Sequence, residues 1–236
     1  MEDNSNIKMT FKQRIENFWY HYKWHTVVAV FAVIVITMLT VQMCTKQDYD
    51  AYILYAGDYK ISTLTQDGDL PEYKRITSSL GRVTPDQNGD GKSDVNLQKL
   101  FVLTPEQAAE LDSEDTASLS MSATDSQTLD NMLVVGNYYV CFLSAELFED
   151  KDAIYDGAIF EPLAKYATDE AIEYEYASER GIYLRSLPFA STLSLPEDTV
   201  VCLRSMNGYS SVIGSKDNQR NFEIGEEIIK NILTYK

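Results

Sequence analysis

The chain has 236 residues, 44% hydrophobic and 24% charged, with 11 Gly and 6 Pro, which excludes a disordered or low-complexity polymer and allows a packed core. Its formal charge of −16 argues against a nucleic-acid-binding surface, because an acidic face repels phosphate backbones. The same charge favours solubility and the attraction of cations.

Residues 1–25 form a basic-aromatic tail. Lys8, Lys12, Arg14 and Lys23 stand there against Glu2, Asp3 and Glu16, whereas the rest of the chain carries 16 basic and 33 acidic residues, a net of −17. Phe11, Ile15, Phe18 and Tyr22 recur at helical spacing, with Lys12, Arg14 and Lys23 off that stripe. Two courses stay open for this segment: lying flat on the inner leaflet, or continuing the next helix into the cytosol.

Thr26–Met43 then runs 18 residues without a charge, which nearly spans a hydrocarbon core, and Trp24 and His25 extend it into the interface. No small-residue cleavage site comes after it, so a retained transmembrane helix is expected and not a signal peptide. Val41-Gln42-Met43 before Cys44 also lacks the small residue that a lipoprotein site needs. Trp19, Tyr20, Tyr22 and Trp24 read as an aromatic belt. With the basic residues on that side and Asp48 and Asp50 on the other, the positive-inside rule places the N-terminus in the cytoplasm and the larger part outside the cell membrane.

A linker at 44–50 leads to a domain at 51–236, long enough for one ordinary core. Tyr52–Ala56 reads as its first strand. Residues 86–94 then run Asp-Gln-Asn-Gly-Asp-Gly-Lys-Ser-Asp. Calcium takes six to eight hard oxygen ligands, and alternate side chains on a tight loop supply them. Asp86, Asn88 and Asp90 would give side-chain oxygens, Gly91 the sharp turn, Lys92 its backbone carbonyl, and Asp94 the closing carboxylate. An EF-hand would need an acid at the twelfth position, which here is Leu97. Ca2+ in a structural role is therefore the cofactor expected, against the plainer reading of an acidic turn without metal.

Val95–Leu103 comes next as a strand and Pro105–Leu111 as a helix. Asp112–Asp125 is rich in Ser, Thr and Asp and reads as a loop. Helix-like Ser126–Val135, strand Tyr138–Leu143, helix-like Ala145–Phe148 and a helical region at Glu161–Ala167 succeed it. Ile182–Leu187 and Val200–Leu203 complete the strands. Asn221–Leu233 places Phe222, Ile224, Ile228, Ile229 and Ile232 along one side, as in a helix docked on a sheet. Strands alternating with helices make the domain α/β with a mixed sheet.

The domain contains no histidine, since His21 and His25 both precede it. That excludes Ser-His-Asp and Cys-His catalysis and histidine-based zinc sites there. No G-x-S-x-G, phosphate-binding glycine loop or H-E-x-x-H occurs. Asp169, Glu170, Glu173 and Glu175 leave a carboxylate-dependent hydrolase open, although a solvated helix face explains them as well. Tyr174, Tyr176 and Tyr183 would suit a recognition surface or the core. Cys141 and Cys202 fall in apolar strand-like runs, where buried thiols are the default and a disulfide is the alternative outside the cell.

Three resemblances bear on these expectations. Asp86–Asp94, with a strand beginning at Val95, resembles the calcium loops of integrin-type repeats, which implies that Asp94 closes the site. Leu133–Ala167, with Gly136-Asn137, Tyr138–Leu143 and Phe160-Glu161-Pro162-Leu163, resembles a stretch of type II extracellular solute-binding proteins. That implies a helix ending at a small-residue turn, a strand facing a cleft, and a helix opened by the F-x-P-L element, in a single solute-binding-like lobe. The layout also resembles uncharacterised single-pass proteins of Gram-positive, Clostridia-like bacteria, which bring no activity with them. The expectation is a non-catalytic, membrane-anchored extracytoplasmic domain that binds a protein partner or small ligand. The alternatives are a reduced solute-binding module of a transporter and a carboxylate-dependent hydrolase.

Overall fold

The computed structural model describes residues 10–44, 49–64, 70–111, 115–206 and 215–236. The chain divides into two compact units, Met1–Gln47 and Asp48–Lys236. Residues 45–48 of the expected linker and 112–114 of the expected polar loop lie outside the described residues.

Among the described residues of the first unit, Phe11–Cys44 form one unbroken helix, α1. Its uncharged stretch contains threonines whose hydroxyls would be costly in hydrocarbon. Thr37 and Thr40 instead donate to the carbonyls of Val33 and Ile36, both at 2.8 Å, one turn back. By length and composition α1 can cross a membrane. The helix runs through Trp24–Thr26 without a break, so the basic-aromatic tail from Phe11 onward continues it.

The second unit is α/β with a mixed six-stranded sheet in the order β2-β1-β3-β6-β5-β4. The strands are β1 (Ala51–Gly57), β2 (Val95–Phe101), β3 (Val140–Ser144), β4 (Tyr176–Ser178), β5 (Gly181–Tyr183) and β6 (Thr199–Leu203). β1 pairs in parallel with β2 and β3, and β6, β5 and β4 continue antiparallel. The helices are α2 (Glu72–Gly81), α3 (Pro105–Glu110), α4 (Thr116–Val135), α5 (Ala145–Ile154) and α6 (Ser215–Leu233). Both faces of the central strands are covered, which is why β1, β3 and β6 read as nearly continuous apolar runs. α2 and α6 cover one face, where Ile224, Ile228, Ile229 and Ile232 seat the C-terminal helix as its periodicity predicts. α4 and α5 cover the other through Leu129, Leu133, Leu147 and Phe148.

The structure corrects several sequence readings. The Ser/Thr/Asp-rich stretch is not a loop throughout, because α4 begins at Thr116. Asp115 caps it by accepting from the Ser118 amide at 3.1 Å. The helix's polar residues make tertiary bonds. Ser122 accepts from the Leu103 amide at 2.9 Å, and Asp125 from the Phe101 amide at 2.8 Å. These bonds satisfy backbone donors at the last residue of edge strand β2 and just beyond it. Asp125→Ala should cost about 1–2 kcal/mol in a denaturant melt. The region Glu161–Ala167 holds only a 3-10 turn at Leu163–Lys165, because Pro162 and the chain's return toward β4 interrupt it. The expected strand Ile182–Leu187 ends at Tyr183 and becomes a 3-10 turn. α2 is hard to read from sequence because only Ile76 and Leu80 mark its buried apolar face.

Cys141 and Cys202 stand directly opposite on β3 and β6 as fully buried free thiols. The Arg204 amide donates to the Tyr139 carbonyl at 2.7 Å, so Tyr139 and Arg204 form a hydrogen-bonded rung and Cys141 and Cys202 form another two residues along. Side chains on such a rung stand farther apart than on the alternate kind, which disfavours a bridge. Burial, and then Cys141, push the Cys202 thiol well above its ordinary pKa. In a Cys44→Ser background, thiol titration should find no reactive thiol in the native protein and two after denaturation.

Candidate functional site: the Asp86–Asp94 loop

The loop lies between α2 and β2, at the end of the sheet where the chain enters this unit. Two backbone features shape it. Gly89 and Gly91 adopt positive φ of 75° and 81°, a conformation that side chains with a Cβ rarely take. Asp86, Asn88 and Asp90 then accept from amides further along. Asp86 Oδ1 takes the Gly89 amide at 2.7 Å and Oδ2 the Gly91 amide at 2.8 Å. Asn88 Oδ1 takes the Asp90 amide and Asp90 Oδ1 the Lys92 amide, both at 2.9 Å. Period-two acceptors thus set the curvature of the loop from its own sequence.

The Gly91 and Gly89 amides hold the Asp86 carboxyl below its ordinary pKa of 3.8. A depressed folded-state pKa contributes stability above the unfolded value, and that contribution is lost as pH falls through the folded one. The protection factors of the Gly89 and Gly91 amides, taken against the intrinsic exchange rate at each pH, should therefore fall on acidification below about pH 4.

A residue outside the motif fixes the loop to the fold. Asp50, just before β1, is 4% exposed. Its Oδ1 accepts from the amides of Gln87 at 2.9 Å and Asn88 at 3.3 Å, and its Oδ2 accepts from Asp94 at 2.8 Å. The Asp50 amide in turn donates to the Asp94 carbonyl at 2.8 Å. One carboxylate thus ties both ends of the loop to the start of β1. Sequence reading misses it, because Asp50 lies 36 positions before Asp86 and reads as part of an acidic linker. α2 also reaches the loop, since a Cβ on Gly81 would lie 2.7 Å from the Ser93 carbonyl oxygen.

The donor chemistry of Asp86, Asn88, Asp90, Asp94 and the Lys92 carbonyl fits a hard cation, because each accepting oxygen keeps a second lone pair. Asp86, Asn88, Asp90 and Asp94 are exposed and within reach of solvent ions. In this geometry Asp86, Asn88 and Asp90 serve the loop's own amides. Among the described residues, no three His, Cys, Asp or Glu side chains converge as a metal group.

The acids at 169–175 are not on a helix but on an irregular exposed segment before β4. Arg185 clamps Glu175 through Nε at 2.8 Å and through a second, shorter contact, holding its carboxyl below the ordinary range. That is opposite to the raised pKa a general acid needs. Tyr174 donates to the Leu233 carbonyl at 3.0 Å, which gives it a structural role against α6. Tyr166 hydrogen-bonds to Glu226, and burial together with that contact pushes its phenol up to about 12, so it stays protonated. Comparison of the chain with protein-family models, with curated proteins and with solved structures finds no match, so the resemblances at 86–94 and 133–167 stand on those residues alone.

Proposed function

We propose that the chain is a membrane-tethered, extracytoplasmic, non-catalytic binding domain stiffened by a calcium loop. α1 is the tether, with its basic-aromatic end in the cytoplasm. Asp86, Asn88, Asp90, Lys92 and Asp94 would hold the ion, whose charge would gather oxygens that otherwise repel one another. The observation that carries the reading is the Asp50 clamp, which makes order in the loop into order at the first strand of the sheet. A loop built this way transmits binding energy to the fold, which suits a structural ion better than a sensor.

The test is a thermal melt of the chain in detergent, with and without about 2 mM calcium, within the range that fills extracellular-grade sites. For a site filled to about ten times its dissociation constant, calcium adds about 1.4 kcal/mol, or roughly 3–6 °C for a unit of this size. Asp90→Ala should remove that increment. A melt indifferent to calcium would sink the calcium part of the reading. A second reading, a reduced solute-binding module serving a transporter, draws support from a groove of about 810 Å³ between the segment after β2, the first half of α4 and the start of α5.

A further inference from the structure

The chain reverses its winding at β1. It passes from β1 to β2 through α2, which packs on the face shared with α6. It then returns across β1 to β3 through α3 and α4, and α4 packs on the opposite face. Where crossovers leave to opposite faces, a crevice opens outside the carboxyl ends of the strands, and ligands of open α/β sheets bind there.

At that end of the sheet a groove of about 810 Å³ runs between the segment after β2, the first half of α4 and the start of α5. Leu103, Leu119 and Leu147 contribute apolar surface to it, while Glu106, Glu146 and Glu149 bring exposed carboxylates. Among the described residues, the one basic residue that lines it does not neutralise them. Lys151 is 6% exposed and bound to Asp130 at 2.8 Å, with Asp150 only at 3.9 Å. A volume in this range accepts several side chains or one small ligand. An apolar groove bordered by uncompensated carboxylates selects against anions and favours an occupant with both apolar surface and positive charge.

We propose that this groove binds an extended peptide segment of a partner protein, in which lysine or arginine alternates with apolar residues. The apolar side chains fill the groove and the cations meet Glu106, Glu146 and Glu149. The proposal rests on the binding-domain reading above and gives it a ligand class.

The experiment uses the full chain in non-ionic detergent at roughly physiological salt, so that long-range attraction between exposed charges is screened. The probes are a labelled acetyl-Leu-Lys-Leu-Arg-Leu-amide, its counterpart with Glu at both charged positions, and spermidine as competitor. Saturable binding of the cationic peptide alone is expected. Glu146→Gln/Glu149→Gln should weaken it at least tenfold, as should Ala123→Trp, which fills the groove without changing its charge. Glu170→Gln/Glu227→Gln, which removes exposed acids elsewhere, should leave it unchanged. Three results would overturn the proposal: no saturable binding, equal weakening by the distant substitutions, or competition by spermidine at the peptide's own potency. The calcium melt is read on the same samples. Loss of the calcium shift with peptide binding intact counts only against the loop, and the reverse counts only against the groove.

Discussion

Replacing Arg204 by methionine should destabilise the Asp48–Lys236 unit by about 2–4 kcal/mol, a fall of roughly 4–16 °C in melting temperature. Arg204 lies just after β6 and has no solvent exposure. Its Nε donates to the Tyr138 carbonyl at 3.0 Å, Nη1 to Leu133 at 3.1 Å and Nη2 to Gly136 at 2.6 Å. The guanidinium carbon lies 4.2 Å from the centre of the Tyr139 ring. Leu133 and Gly136 belong to the C-terminal end of α4, where carbonyls lack helical partners and the helix dipole is negative. The side chain thus closes α4 and joins it to β3 and β6. Methionine keeps the approximate volume and apolar stem, but it strands three carbonyl acceptors, one buried and two part-buried. Lysine should recover only part of the loss, since one ammonium cannot reproduce the planar fork. Burial lowers the Arg204 pKa, yet three carbonyls and an aromatic face stabilise its charge. Full stability in Arg204→Met, by denaturant melt with an unchanged m-value, would refute this account.

Replacing Asp50 by alanine should cost about 2–4 kcal/mol, because three amides lose a charged acceptor within a nearly closed site. The comparison with asparagine is more discriminating. Asparagine keeps one acceptor for Gln87 and Asn88 but turns a donor toward the Asp94 amide, so it should rescue at most part of the loss. Hydrogen exchange at Gln87, Asn88 and Asp94 should accelerate in both variants, while β3 amides stay protected. The calcium-dependent melting shift should shrink along with it, since an unanchored loop must be ordered at the ion's expense. Wild-type stability in Asp50→Asn would mean that the carboxylate is not what holds the loop.

The two sites differ in how far they are legible in the sequence. The Asp86–Asp94 motif is visible because turn chemistry is local: its glycines and Asx side chains act within a few residues of their partners. Asp50 and Arg204 acquire their roles only from pairings across the sheet, and each sits at the border of an apolar run, where a charge looks like punctuation. The N-terminal half of α4 shows the same limit. Its serines and aspartates read as a loop until the edge of β2 supplies donors for Ser122 and Asp125. The groove cannot be read at all, since it depends on which helix crosses which face.

By itself the sequence determined the long apolar helix near the N-terminus, the α/β class of the domain beyond it, the turn-rich acidic loop and the apolar stripe of the last helix. Each rests on periodicity or local backbone preference, which needs no knowledge of distant residues. Only the tertiary structure decided the strand order, the reversal at β1, the opposition of Cys141 and Cys202, and the burial of Asp50 and Arg204. Those depend on contacts between residues far apart in the chain, whose energies no local pattern records.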